Sequence, residues 1–409
     1  MPPGNDQRSD ETIRRRIFRV LDRYLGPVAA LMLFLHRTMS RRDKRVAGLN
    51  QLKRILIIKL VGLGDAALLL TVLGRIKEAW PRTEIHVLTT SSNAMVFKKN
   101  GLYIDNVMEI DISGSKNISH GLVSLVRDLG RSGYDLALDF EQHFYLTPII
   151  LYLANIPLRG GFYYYHARSL LFTHARRVCP DRHMLLDFLS LARTLIPIPE
   201  AVPKKLVPPA IPSTNRVHAA EWLRKKGLAG KKKIVLHPGC GPSGRCRAWP
   251  KERFAHLAVK LAHQGYVILL SGTPMERSII DFIVAKSEGG EIHSLVGELD
   301  FLDYLALLDD SELLIANDTG PMHLGAALRV PTLGLFGPEN PERYKPYGPG
   351  NFYLYVQQPC SPCNQNYRGI RPHCRNAVYQ KCMLEISVDM VAQKVGEILK
   401  ECHAEKRVS

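Results

Sequence analysis

The sequence predicts an α/β protein of two Rossmann-like parallel-sheet domains facing each other across a cleft. Three observations carry this. The chain has 409 residues, more than one ordinary hydrophobic core organises. Short apolar runs of strand length alternate with helix-length stretches, first from Arg54 and again from Ile234. Between the two series lies a proline-dense stretch, residues 196–212, with prolines at 197, 199, 203, 208, 209 and 212. The expected organisation is an N-terminal segment 1–45, a first domain 46–200, a linker 201–215 acting as a hinge, and a second domain 216–400 with a cysteine-rich segment 360–382.

In the first series, residues 55–58 read as a buried strand, 61–65 as a tight turn and 66–79 as a helix ending at Trp80-Pro81. Strands follow at 84–89 and 134–140, with Asp139 near the end of the latter. In the second series a strand at 234–236 ends in His237-Pro238-Gly239. A helix over 250–264 opens with proline at its first position. The remaining elements are a strand 267–271, helices 274–286 and 301–309, a strand 313–316, a helix 321–328 and a strand 332–336.

Hydrophobic residues make up 46% and charged residues 23%, a globular composition rather than a disordered or multispanning one. The formal net charge of +17 favours polyanionic partners: nucleic acid, anionic lipid or phosphorylated glycolipid. Nucleic acid is disfavoured, because the basic runs at 224–226 and 231–233 lack interleaved aromatics on which bases stack. Eight cysteines are too few for a disulfide scaffold, and Cys179, Cys240, Cys246 and Cys402 are scattered as in a reducing compartment.

Residues 1–45 carry eleven Lys/Arg and five Asp/Glu around an uncharged run of twelve, Tyr24 to Leu35. That run falls short of the roughly 20 residues that span a bilayer. No small-residue cleavage site follows it, so it does not read as a secretory signal. Arg14, Arg15, Arg16, Arg19 and Arg23 precede it, and Arg37, Arg41, Arg42, Lys44 and Arg45 follow. The segment reads as an interfacial anchor, or as a helix packed on the protein's own surface.

Four motifs carry chemistry. In Ala316-Asn317-Asp318-Thr319-Gly320-Pro321-Met322-His323 a strand ends, Asp318 is expected as N-cap and Pro321 suits the first turn. The helix start then offers free N–H groups to a diphosphate, with the Thr319 hydroxyl and His323 beside it. The glycine-rich loop from His237 to Pro250 carries Arg245 and Arg247, whose planar donors suit phosphate, and is not a Walker loop. Gly62-Leu63-Gly64-Asp65 falls short of the dinucleotide fingerprint. A carboxylate there would repel a pyrophosphate, so Asp65 is expected to face an acceptor hydroxyl as general base, while also able to cap the helix. Cys360-x2-Cys363-x10-Cys374-x7-Cys382 fits a zinc site, reduced thiols or disulfides, and no catalysis is placed there.

The ordered blocks 57–65, 237–239, Arg247-Ala248-Trp249-Pro250, 317–323 and Leu335-Phe336-Gly337-Pro338 resemble glycosyltransferase family 9, the ADP-heptose:lipopolysaccharide heptosyltransferases, over about residues 54–348 with a weaker tail to about 400. The resemblance implies a GT-B fold, inverting transfer, no metal at the reaction centre and no cofactor. It implies a nucleotide-sugar donor, ADP-heptose, bound mainly by the second domain. By motif, Asp65 is the base. Arg247 neutralises the diphosphate, Ser243 adds a hydroxyl to phosphate, and Glu276 contacts the nucleoside. Asp318 binds donor-sugar hydroxyls, and Thr319, Gly320 and His323 the diphosphate. The implied acceptor is lipopolysaccharide core or a related glycolipid, placing the enzyme in the cytoplasm, peripheral on the inner face of the membrane. The chain departs from the family at Cys240 and Gly241, where serine or threonine is frequent, and at Cys246. A sugar-nucleotide epimerase of similar architecture is the alternative enzyme. A non-catalytic relative is disfavoured, since the acidic, basic and hydroxyl positions are all present.

Overall fold

The computed structural model describes residues 5–40, 52–112, 118–241, 244–286, 289–370 and 373–408. Two six-stranded, wholly parallel sheets form its frame. The first is built from β1 (Arg54–Ile58), β2 (Glu84–Thr89), β3 (Asn106–Glu109), β4 (Leu136–Asp139), β5 (Leu158–Tyr163) and β6 (His174–Arg177), in the order β3-β2-β1-β4-β5-β6. The second comprises β7 (Lys233–His237), β8 (Val267–Leu270), β9 (Ile292–Ser294), β10 (Leu313–Asn317), β11 (Thr332–Phe336) and β12 (Asn351–Tyr355), in the order β12-β11-β10-β7-β8-β9. Counted from β7, the second sheet repeats the strand order of the first. Both are the doubly wound order of nucleotide-binding folds.

The central strands are apolar without alternation because helices cover both their faces. Ile55 and Ile57 point to one side, onto helix α2 (Leu63–Ala79), and Leu56 and Ile58 to the other. The core on the α2 side continues into the second lobe through Val235, Leu314, Ala316 and Leu324, so the lobes share one apolar layer. They meet where the starts of α2 and helix Gly320–Ala327 abut. A Cβ on Gly64 would fall 2.4 Å from His323 Cδ2, and one on Gly320 would lie 2.9 Å from Leu63 Cβ. Glycine at both positions lets two helix ends approach to backbone distance.

Two helix starts differ from the sequence expectation. α2 begins at Leu63 with Gly62 (φ 95°) as its N-cap, so Asp65 sits in the first turn and does not cap. The cap of helix Gly320–Ala327 is Thr319, not Asp318, whose side chain is turned inward onto Arg247.

A second inter-lobe contact is polar. Arg343, in the short helix Pro341–Tyr344, donates to Asp187 Oδ2 at 3.0 Å, to the Arg182 carbonyl at 3.0 Å and to the Cys179 carbonyl. His183 Nε2 meets the Lys345 carbonyl at 3.0 Å beside it. The proline-rich stretch is tied to the first lobe through Val207 N to Thr71 Oγ1 (2.9 Å) and Ala210 N to Asn100 Oδ1 (3.1 Å).

The N-terminal segment forms one helix, α1 (Asn5–Ser40), lying on the first lobe. Gly26 allows contact with Tyr145, Ala30 is buried, and the Asp22 carboxylate accepts from Tyr145 N (3.0 Å) and Leu146 N (2.7 Å). Asp22 thereby caps helix Leu146–Leu153, and burial pushes its own pKa up. Among the described residues, no helix is long and apolar enough to cross a membrane.

Candidate active site

Doubly wound sheets bind ligands beyond the carboxyl ends of their strands, where the strand order reverses. Here the reversals fall between β1 and β4 and between β7 and β10. The chain following all four of these strands opens onto one cavity of about 1280 Å³ between the lobes. Asp65, Arg247, Glu276, Asp318, Thr319, Gly320 and His323 all line it. Ser243 lies outside the described residues.

On the first-lobe side, Asp65 projects from the first turn of α2 and its Oδ2 pairs with Lys59 Nζ at 2.9 Å. Lys59 is buried at the end of β1 and also faces Glu141 Oε1 at 3.5 Å. Burial works against the Lys59 charge, but the two carboxylates outweigh it and hold its pKa up. Glu141 Oε1 in turn accepts Leu60 N at 2.6 Å and Val61 N at 3.0 Å, pinning the turn that carries Asp65. Behind it, Asp139 accepts Glu141 N at 3.0 Å and is ion-paired to Arg168 at 2.6 Å in full burial. Asp65 is thus aimed by buried ionic and hydrogen-bonded contacts, and of this group only Asp65 stands out in the sequence motifs. The signal for Lys59 is a lone lysine in an apolar strand, which demands a counter-charge.

On the second-lobe side, Asn317 Oδ1 accepts Trp249 N at 2.9 Å and its Nδ2 donates to the Pro238 carbonyl at 2.9 Å. This ties the glycine-rich loop to the end of β10 and brings Arg247 NH1 within 3.3 Å of Asp318 Oδ2. Burial raises the Asp318 pKa and Arg247 opposes it. Arg247 Nε and His323 Nδ1 are both buried with no hydrogen-bond partner among the described residues. Burial lowers the His323 pKa to about 4, with His183 adding to the shift and Asp65 opposing it, so the ring is neutral at pH 7.

Glu276 accepts Thr273 N (2.9 Å) through Oε2 and Gly241 N (3.0 Å) through Oε1. Burial tends to raise its pKa, but His237 and these amides outweigh that and leave it lowered. Glu276 therefore shapes the glycine-rich loop while lining the cavity. A Cβ on Gly239 would fall 2.0 Å from its Oε1.

Glu339, which none of the sequence motifs singles out, also lines the cavity. It is 1% exposed and accepts the side-chain amides of Asn364 and Asn366. Burial, reinforced by the Asp318 charge and opposed by Arg247 and Arg343, pushes its pKa up to about 8. Asp318 and Glu339 are both pushed up by burial, and their protons come off as a linked pair.

The cysteine-rich segment lies at the edge of this site. Cys360, Cys363, Cys374 and Cys382 are free thiols, and no disulfide links them. Among the described residues, no group of three or more His, Cys, Asp or Glu side chains is placed to hold a metal ion.

Known proteins share this arrangement of lobes. The chain is 23% identical over 362 residues to lipooligosaccharide heptosyltransferase 2 of Haemophilus ducreyi, covering 85% of this chain and 99% of that one. The crystal structure of a glycosyl transferase family 9 protein from Veillonella parvula superposes with a TM-score of 0.74 at 25% identity, over 85% of this chain and 98% of that one. The E. coli heptosyltransferase WaaC with ADP-2-deoxy-2-fluoro heptose gives 0.62 at 19% identity, over 84% and 99%. The model of glycosyltransferase family 9 (heptosyltransferase) matches residues 122–370, more than half of the chain, although Lys59 and Asp65 precede that stretch. The two doubly wound lobes are those of a GT-B glycosyltransferase, and the chain belongs to glycosyltransferase family 9.

Proposed function

We propose that this enzyme transfers heptose, or a related sugar, from an ADP-sugar to a lipopolysaccharide-core or lipid A-type acceptor, with inversion and without a metal ion at the reaction centre. The acceptor is anchored in the cytoplasmic face of the inner membrane. One observation carries the reading: a held carboxylate, Asp65, shares a cavity with two buried nitrogen atoms that have no partner among the described residues, Arg247 Nε and His323 Nδ1. The relative solved with ADP-2-deoxy-2-fluoro heptose supports the choice of donor.

The chemistry follows from where charge develops. An acceptor hydroxyl attacks the anomeric carbon from the Asp65 side, and its proton passes to the Asp65 carboxylate. The bond from that carbon to the diphosphate oxygen breaks, and ADP leaves with the electron pair. Arg247 and the amides at the start of helix Gly320–Ala327 stabilise the growing negative charge, a role divalent cations fill in other glycosyltransferases. Thr319 and neutral His323 donate hydrogen bonds, and Asp318, fixed by Arg247, accepts from donor-sugar hydroxyls. Glu276 meets the nucleoside, and Ser243 adds a hydroxyl to the phosphates.

The test incubates the purified protein with ADP-, UDP- and GDP-sugars, with and without core-oligosaccharide acceptors, and reads the products by mass spectrometry. The expected product needs both ADP-heptose and acceptor. Asp65→Asn is expected to lose about 10²–10⁴-fold in turnover with donor affinity intact. Conversion of the donor alone would identify an epimerase, and full activity in Asp65→Asn would remove the base assignment.

A further inference from the structure

α1 has two faces of opposite use. One is packed on the first lobe: Asp22, Gly26 and Ala30 at intervals of four, then Leu33, Phe34 and Arg37, which donates to the carbonyls of Leu170 (2.9 Å) and Phe172 (3.2 Å). The other carries Leu21, Tyr24, Leu25, Val28, Leu31, Met32, Leu35 and Met39, each about half exposed or more, with Met32 at 65% and Met39 at 86%. Their spacing of three and four residues places them in one stripe. From Leu21 to Met39 it runs for about 27 Å at 1.5 Å per residue. A helix that packs Leu33 and Phe34 inward beside Asp22, Gly26, Ala30 and Arg37, yet turns a longer apolar stripe to water, exposes more apolar surface than the helices of a globular surface do. A continuous apolar patch of this kind marks a partner.

Charge identifies the partner. The stripe sits in a segment whose 45 residues carry eleven Lys/Arg against five Asp/Glu, with basic residues before and after the apolar run, on a chain of net charge +17. A second copy of the chain would bring like charge to like charge, whereas an anionic bilayer offers hydrocarbon to the stripe and an opposite field to the basic segment as a whole. The same helix reaches the active site, since Val20, Asp22, Arg23 and Pro27 line the cavity.

We propose that the outer face of α1 docks the enzyme on an anionic lipid bilayer and, because its inner edge forms a wall of the cavity, presents the acceptor side of the cleft to the membrane surface. This rests on the reading of the acceptor as lipid-anchored only for its purpose; the docking itself does not depend on which sugar is transferred.

The test uses the full chain and vesicles of phosphatidylethanolamine and phosphatidylglycerol (3:1), with phosphatidylcholine vesicles for comparison, and measures co-sedimentation without donor or acceptor. Binding to the anionic vesicles is expected, weaker on phosphatidylcholine and weaker in high salt. Leu25→Glu/Met32→Glu changes two exposed positions outside the cavity. It is expected to lower vesicle binding at least tenfold while leaving the unfolding transition and transfer to a delipidated, water-soluble acceptor unchanged. Because vesicle binding is read without substrates, a wrong sugar assignment leaves this result standing. The docking proposal is overturned if the wild-type chain ignores anionic vesicles, or if the double variant binds them equally well. It is equally overturned if the wild type is a dimer in solution that the variant dissociates while vesicles capture neither.

Discussion

Replacing Arg343 by methionine tests whether the two lobes are latched by a buried ion pair. The Arg343 and Asp187 side chains are each 1% exposed, 3.0 Å apart, and belong to different lobes. Arg343 also satisfies the carbonyls of Arg182 and Cys179, and its guanidinium lies 5.5 Å from the Tyr344 ring centroid. Methionine keeps much of the volume but leaves two carbonyls without this donor and a buried carboxylate with only the Cys179 amide, at 3.2 Å, and no counter-charge in contact. Breaking one side of such a pair costs about 3–5 kcal/mol. Asp187 can relieve part of this by taking up a proton. Burial already raises its pKa and Arg343 is the main force opposing that, so the variant raises it further. A carboxyl whose folded pKa is raised destabilises the fold increasingly as pH rises above its unfolded pKa, and least below it. The loss measured by urea denaturation should therefore be smaller at pH 5 than at pH 8. Arg343→Met/Asp187→Asn should recover about 1–3 kcal/mol relative to Arg343→Met alone. A loss below about 1 kcal/mol at pH 8, or no recovery in the double variant, would show that the pair does not hold the lobes.

Two further perturbations address the cavity itself. As Glu339 ionises near pH 8, a negative charge appears at the donor site. For a charge sharing the cavity with a diphosphate, at an effective dielectric of about 20, this costs on the order of 1–2 kcal/mol, or roughly tenfold in donor KM. The wild-type donor KM should rise above pH 8 and that of Glu339→Gln should stay flat; parallel profiles would assign the titration elsewhere. Glu141→Ala should free the Leu60 and Val61 amides and let Asp65 drift, lowering kcat about 10–100-fold with donor affinity unchanged if the donor binds the second lobe as proposed. Glu141→Gln keeps an accepting oxygen and should retain most of that activity, an outcome that separates holding the turn from charge.

What the sequence made legible depended on how local the cause was. β1, β7, β10 and β11 were readable because strands covered on both faces are apolar runs whatever surrounds them. β5 was not, since Gly160-Gly161 weakens the pattern of its six residues. The glycines are there because a Cβ at Gly161 would lie 2.1 Å from the Phe172 ring, a contact no local pattern announces. The edge strand β6, His-Ala-Arg-Arg, is polar because water takes one side of it. The same division runs through the site. Asp318, Thr319 and His323 follow one strand and could be read together. Lys59 is explained by Glu141, some eighty residues away, and Glu339 by Asn364 and Asn366, so their roles emerge only when the chain is folded. The misplaced cap at Asp318 has a similar source: local preference favours aspartate there, and Arg247, brought in by the glycine-rich loop, takes that carboxylate away.

The geometry also narrows how the cleft can work. Were the lobes to part, the apolar layer shared by α2 and helix Gly320–Ala327 would meet water, and Arg343 would leave Asp187. Both costs fall away if the lobes rotate about these contacts instead. The linker is held from both sides along its length: Tyr347 of the second lobe donates to the Pro203 carbonyl at 2.8 Å, Ala210 N bonds to Asn100 of the first lobe, and Asn215 bonds to Asp303 of the second at 2.7 Å. A pivot at Gly64 and Gly320 would keep Asp65 close to the start of helix Gly320–Ala327, while the far rim, where Arg368 donates to Tyr165 Oη of the first lobe at 3.2 Å, would widen only by breaking that bond. Such a rotation would keep the proposed reacting groups in register while the rim beside α1 opened.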